Sequence, residues 1–234
     1  MATGRTGCRN SGGMKSNPVR LKLLAEGAGT AMLLISVIGS GIMGETLADG
    51  NAAIALLANA IATGCMLFVI ITVLAPVSGA HFNPGITLAF ALRGKIAPRV
   101  ALAYAAAQII GAIIGVWATH GMFDLAILQS STTMHRTGGA QWFSEVLATW
   151  GLLFVIFGGM KSRPDAVPAL VAFYITGAYW FTASTSFANP AVTVARGFSD
   201  TFAGIYPGHI TGFVVAQLVA VALAHAFFAK VLRQ

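Results

Sequence analysis

Charge is what this chain has least of. Asp, Glu, Lys and Arg make up 9% of its 234 residues, and only seven residues are acidic. A water-facing globular surface draws on about 25% charged residues, so a soluble domain is excluded. Cysteine is scarce as well. Cys8 lies in a polar start and Cys65 in an apolar run, which points to two free thiols and not to a disulfide or a metal site. Long stretches that alternate apolar and polar residues, the mark of transmembrane strands, are missing too. So are a Ser/His/Asp set, paired catalytic carboxylates on one segment and any His pair at metal-ligand spacing. The sequence therefore offers no enzyme chemistry, no metal site and no cofactor site.

What is present is apolar sequence, 56% of the chain. A hydrocarbon core about 30 Å thick needs roughly 20 apolar residues as helix. Six runs come near that length: 21–43, 52–75, 100–121, 142–160, 167–183 and 209–232. Two shorter apolar pieces, 84–92 and 190–198, remain. At about 1.5 Å per residue each makes a helix of roughly 13 Å, less than half a bilayer. Residues 1–20 are basic, rich in Gly and Ser and without periodicity, and read as a disordered cytoplasmic tail. They have no apolar core of the kind a signal peptide needs. With the N-terminus inside, 12 of the 14 Lys and Arg residues fall on the inner side, leaving only Arg136 and Arg196. Both termini are thus expected in the cytoplasm. The net charge of +7 reflects this sorting and gives no reason to expect a nucleic-acid partner.

The chain also repeats itself. "AHFNPGITLAF" from Ala80 answers "SFANPAVTVAR" from Ser186. "AEGAGTAML" answers "SEVLATWGL", and "YAAAQIIGA" answers "FVVAQLVAV". Each half carries Glu on its first span, Asn-Pro after its second and Gln on its third. Three spans per half is an odd number, so the halves are inverted, about 21–121 against 140–232, within one channel domain, 21–234. Inverted repeats place a solute path at their interface near the midplane. Asn is a good N-cap and Pro suits the first helical position. Asn83-Pro84 and Asn189-Pro190 therefore read as the starts of two re-entrant half-helices meeting head to head. Each start carries roughly half a positive charge, which repels cations and orients neutral dipoles.

These motifs resemble those of the aquaporin, or major intrinsic protein, family. "SGAHFNPG" and "NPAVT" are similar to its two signature loops, and the Glu and Gln positions match as well. The resemblance covers about 21–230. It implies an all-α transmembrane fold of six spanning helices and two half-helices in an inverted 3+3 repeat. It also implies a homotetramer in the lipid bilayer with one pore per subunit. The signature residues are Asn83, Pro84, Gly85, Asn189, Pro190 and Ala191, with Gly85 where most members have Ala.

A second departure bears on selectivity. Most members place Arg directly after the second Asn-Pro-Ala, where this chain has Val192. Carrying the family's spacings over gives a filter of Thr63, Gly177, Ser186 and Val192, without charge or ring. Such a filter is expected to be wide and weakly polar. Arg196, one turn on, is expected to reach outward or pair with Asp200; the other reading is a pore-mouth charge. Glu26 and Glu145 are expected to accept donors from the re-entrant loops as structural carboxylates, and His81 to support its loop. Arg136 is expected to be solvated.

The expected function is passive passage of small uncharged solutes: glycerol, water and metalloid hydroxides such as arsenite. The alternatives are a coupled secondary transporter, which also uses broken helices in inverted repeats, and a water-selective channel. A bacterial inner membrane is the expected location.

Overall fold

The computed structural model describes residues 17–231. Eight α-helices follow one another: α1 Val19–Leu47, α2 Ala52–Ser78, α3 Pro84–Leu92, α4 Pro98–Met122, α5 Gly139–Ser162, α6 Val167–Phe181, α7 Pro190–Arg196 and α8 Ile210–Val231. Most of the expected 1–20 tail, with Cys8, lies outside the described residues; its last residues already start α1. Among the described residues, five helices are long and apolar enough to cross a membrane. The sixth, α6, has 15 residues and is preceded directly by a 3-10 turn, Pro164–Ala166. The two half-helices are α3 and α7, of nine and seven residues. The second ends at Arg196, two residues before the end of its apolar run, with Gly197 as its cap.

Local chemistry explains the boundaries. Pro98 sits in the first turn of α4 and Pro190 in that of α7, where no N–H is needed. Asn51 caps α2 by accepting from the N–H groups of Ala53 and Ile54. Gly79, at φ 94°, ends α2 in the left-handed conformation that glycine adopts freely.

Packing follows the inverted halves. In the first, α1 packs on α2 and α4; in the second, α5 packs on α6 and α8. The seam between halves runs through α2 and α6, and both half-helices lie against α4 and α8. On α4, Gly111 and Gly115 let the α1 backbone come close. A Cβ on either would sit 2.1 Å from the Gly27 carbonyl oxygen or 2.4 Å from that of Ala31. Small residues at such spacing are how membrane helices approach. The outer faces are apolar: Leu24, Leu102 and Phe173 are all strongly exposed. Such a surface suits lipid rather than water.

Candidate functional site

Residues 79–83 and 185–189 cross the interior without helix, so their backbone groups need partners inside the protein. The two buried glutamates supply them. Glu26 accepts from the N–H groups of His81 and Phe82, from the Ser78 hydroxyl and from the Gln108 amide. Glu145 accepts the equivalent set: Phe187 and Ala188 N–H, the Ser184 hydroxyl and the Gln217 amide. Ala80, Phe82, Thr185, Ser186 and Ala188 all have positive φ between 47° and 60°. Each such residue costs on the order of 1–3 kcal/mol and persists only where its surroundings fix it. The carboxylates provide that constraint.

Each signature asparagine faces two ways. The Asn83 side-chain oxygen caps α3 by accepting from Gly85 and Ile86 N–H, and that of Asn189 caps α7 by accepting from Ala191 and Val192. The Asn83 amide then donates to the Ala188 carbonyl at 2.7 Å, and the Asn189 amide to that of Phe82 at 2.9 Å. Each amide has two N–H bonds, so one is left over, and both asparagines line a shared cavity of about 370 Å³. Gly85 packs closely here: a methyl group would lie 3.2 Å from the Asn83 side-chain oxygen. His81 lies within 3.1 Å of the Thr87 hydroxyl through Nδ1 and packs on Phe90 and Tyr104. The Thr87 hydroxyl donates to the Asn83 carbonyl, so Nδ1 of His81 is the donor of the pair.

The cavity runs from Pro164 at one end, past the asparagines, to Arg196 at the other. Thr63, Ser186 and Val192 line it, all buried. The Ser186 hydroxyl has no hydrogen-bond partner among the described residues. Gly177 is elsewhere. It is exposed on the outward face of α6, with Phe181 as its nearest neighbour. The helical period gives the reason. Val171, Ile175 and Tyr179 line the cavity at i, i+4 and i+8, so a residue two positions from either neighbour points away. Tyr179 takes the place that spacing assigned to Gly177, and its hydroxyl lies 3.2 Å from that of Thr63. The wall therefore contains a ring, contrary to expectation.

Arg196 also differs from its favoured sequence reading. It is 2% exposed, lines the cavity, donates from Nε to the Ala203 carbonyl and stacks over Phe187 at 3.5 Å. It neither reaches lipid nor meets Asp200, whose carboxylate is taken up by Thr132 and Thr133. Arg136, expected to be solvated, folds back onto the same ring at 5.5 Å and donates to the carbonyls of Gly204 and Phe202. Desolvation lowers its pKa from the usual guanidinium value. No motif in the sequence marked Arg136 or Phe187; the i, i+4 spacing on α6 was the available signal for Tyr179.

The Major intrinsic protein family model matches residues 14–184. The chain belongs to this family. A curated relative, aquaglyceroporin AqpS of Rhizobium meliloti (strain 1021), is 52% identical over 205 residues, covering 88% of this chain and 87% of the relative. Human aquaporin-5 is 31% identical over 195 residues, or 76% of this chain and 72% of its own. The X-ray structure of the aquaglyceroporin from Plasmodium falciparum superposes with a TM-score of 0.70 at 17% identity, covering 92% of this chain and 98% of that one. At that identity the match speaks for the fold alone. It is the all-helical, multi-pass membrane fold of the major intrinsic proteins, and the protein is a channel of that family rather than an enzyme.

Proposed function

We propose that this major intrinsic protein passes small uncharged hydroxylated solutes, glycerol-sized polyols and neutral metalloid hydroxides such as arsenite among them, passively and in both directions. The observation that carries the reading is the cavity of about 370 Å³, in which apolar Val192 shares the wall with the Thr63–Tyr179 hydroxyl pair and with Asn83 and Asn189. The spare N–H of each asparagine amide and the paired hydroxyls can bond the hydroxyl groups of a permeant. The apolar side accepts the carbon skeleton of a polyol. The 52% identical relative named an aquaglyceroporin supports the same class. Asn83 and Asn189 then hand the solute across the midplane, and Arg196 stands at the mouth.

The rest of the reading follows from the sequence. One channel domain, 21–234, holds repeats of about 21–121 and 140–232. The termini face the cytoplasm, the Arg196 end faces outward and the subunits form a homotetramer in a bacterial inner membrane. Tyr179 and Arg196 on the wall favour one rival, a pore too narrow for anything but water.

Stopped-flow light scattering on proteoliposomes separates the two. With sucrose outside, both pores shrink the vesicles quickly. With glycerol outside, a solute channel re-swells them rapidly and admits arsenite. Fast water flux without glycerol entry rejects the proposal.

A further inference from the structure

Two guanidinium groups meet on the Phe187 ring at one end of the cavity; Arg196 lines the cavity, Arg136 stands behind the ring, and among the described residues neither is paired with a carboxylate. Arg196 bonds the Ala203 carbonyl through Nε, and its terminal nitrogens have no protein partner among the described residues. Arg136 bonds the carbonyls of Gly204 and Phe202 and reaches the Thr185 hydroxyl at 3.5 Å. The two nearby acids are occupied. Glu145 already accepts four donors from its own loop and α8, and Asp200 is held by Thr132 and Thr133. Both guanidinium carbons lie over the one ring of Phe187, at 3.5 and 5.5 Å from its centroid. The charges are therefore inside the roughly 10 Å over which 0.1 M salt screens them. Bringing like charges together in a part-buried place is unfavourable, and here carbonyl dipoles and the face of one aromatic ring hold them.

Their position along the path matters as much as their sign. Arg196 comes four residues after Val192 on α7, so its backbone lies about 6 Å further out along the half-helix axis. The half-helix also ends there, and its carbonyl end favours a cation. The Arg196 backbone is thus one turn beyond Val192, while its guanidinium folds back over Phe187, the residue next to Ser186. The inverted repeat offers a contrast: His81 stands two before Asn83, and Phe187 stands two before Asn189.

We propose that Arg136 and Arg196, stacked on Phe187, form a charge barrier at the outer mouth, and that this pair rejects small cations, hydronium included. The inference rests on the channel reading above. A neutral polyol meets no repulsion at the pair, and the free Arg196 nitrogens can donate to its hydroxyls. A cation meets the field of two positive charges at the outer edge of the constriction. Arg136 acts from the loop between α4 and α5, so that loop takes part in selectivity.

The test uses the full chain in proteoliposomes and reads the ratio of methylammonium entry to glycerol entry. Proton leak is followed in parallel with an entrapped pH dye. Arg196→Gln is expected to raise the ratio at least tenfold, and Arg136→Gln severalfold. Arg196→Lys and Arg136→Lys keep the charge without the planar fork and are expected to bring the ratio back to within about twofold of wild type. A normal size-exclusion peak in detergent shows that each variant is folded. If both Gln variants stay as cation-tight as wild type, or the Lys variants leak as they do, the barrier is not the arginine charge and the proposal falls. A wild-type protein that conducts water but no glycerol would reject the solute reading alone. Methylammonium entry relative to water flux would still judge the barrier.

Discussion

Glu145 shows how much one side chain holds. Replacing it with Leu strands two backbone N–H groups, a hydroxyl and an amide in the interior. Each stranded donor costs about 1–3 kcal/mol, so Glu145→Leu is expected to prevent accumulation of folded protein. Size-exclusion chromatography in detergent would show a loss of the main peak; a normal peak would mean the loop finds other partners. The matched positions of Glu26 and Glu145 were readable in the sequence because both halves carry the same residue on their first span. The filter was less readable. Counting back from Asn189 crosses the non-helical stretch 182–188, and such a count does not fix the phase of α6. Tyr179 therefore stands on the wall where the count had put Gly177. Gly177→Ala is expected to leave glycerol flux as it is and to raise thermal stability by about 0.5–1 kcal/mol, the usual gain for a helix-interior glycine. A marked loss of flux would put Gly177 back in the pore. Val192→Arg, by contrast, is expected to cut glycerol flux at least tenfold while water still passes; unchanged glycerol flux would remove Val192 from the constriction.

Helices and loops were legible to different degrees. Asn-Pro announced both half-helices, since capping and a fixed φ are local chemistry. The path of the α4–α5 loop was not legible, because its partners lie about 70 residues away: Thr132 and Thr133 donate to Asp200, and Arg136 N–H donates to Nδ1 of His209. The Thr132 hydroxyl first, then the Thr133 N–H, holds the Asp200 carboxyl well below the usual carboxylate range. A depressed pKa gives stability that is complete above the unfolded value of about 4 and is lost only as pH falls through the folded one. Protease cleavage within 123–138 should therefore increase in Asp200→Asn already at pH 7, where the wild-type carboxylate is fully charged. Equal cleavage of the two proteins at pH 7 would contradict this. At the α1–α4 contact, Gly115→Leu would force a side chain into the Ala31 carbonyl, only 2.4 Å from the Cβ position. That variant should lose folded protein in the same chromatographic assay, and full expression would show that α4 can shift.

For the molecule as a whole, composition named the solvent and the inverted repeat named the architecture, because both are set by the bilayer. What the sequence did not reveal is how the halves are joined. Asn83 donates to Ala188, 105 residues later, and Asn189 donates back to Phe82. At a synthesis rate of about 5–20 residues per second, that acceptor reaches the membrane roughly 5 to 20 s after the first loop has entered it. Throughout that interval α3 sits with its capping amide unanswered and the strained turn before it supported from one side only. The first half of the protein is therefore made as an unfinished object. A ribosome that stalls between the repeats leaves in the membrane a half-built path with polar groups facing lipid, a natural substrate for quality control.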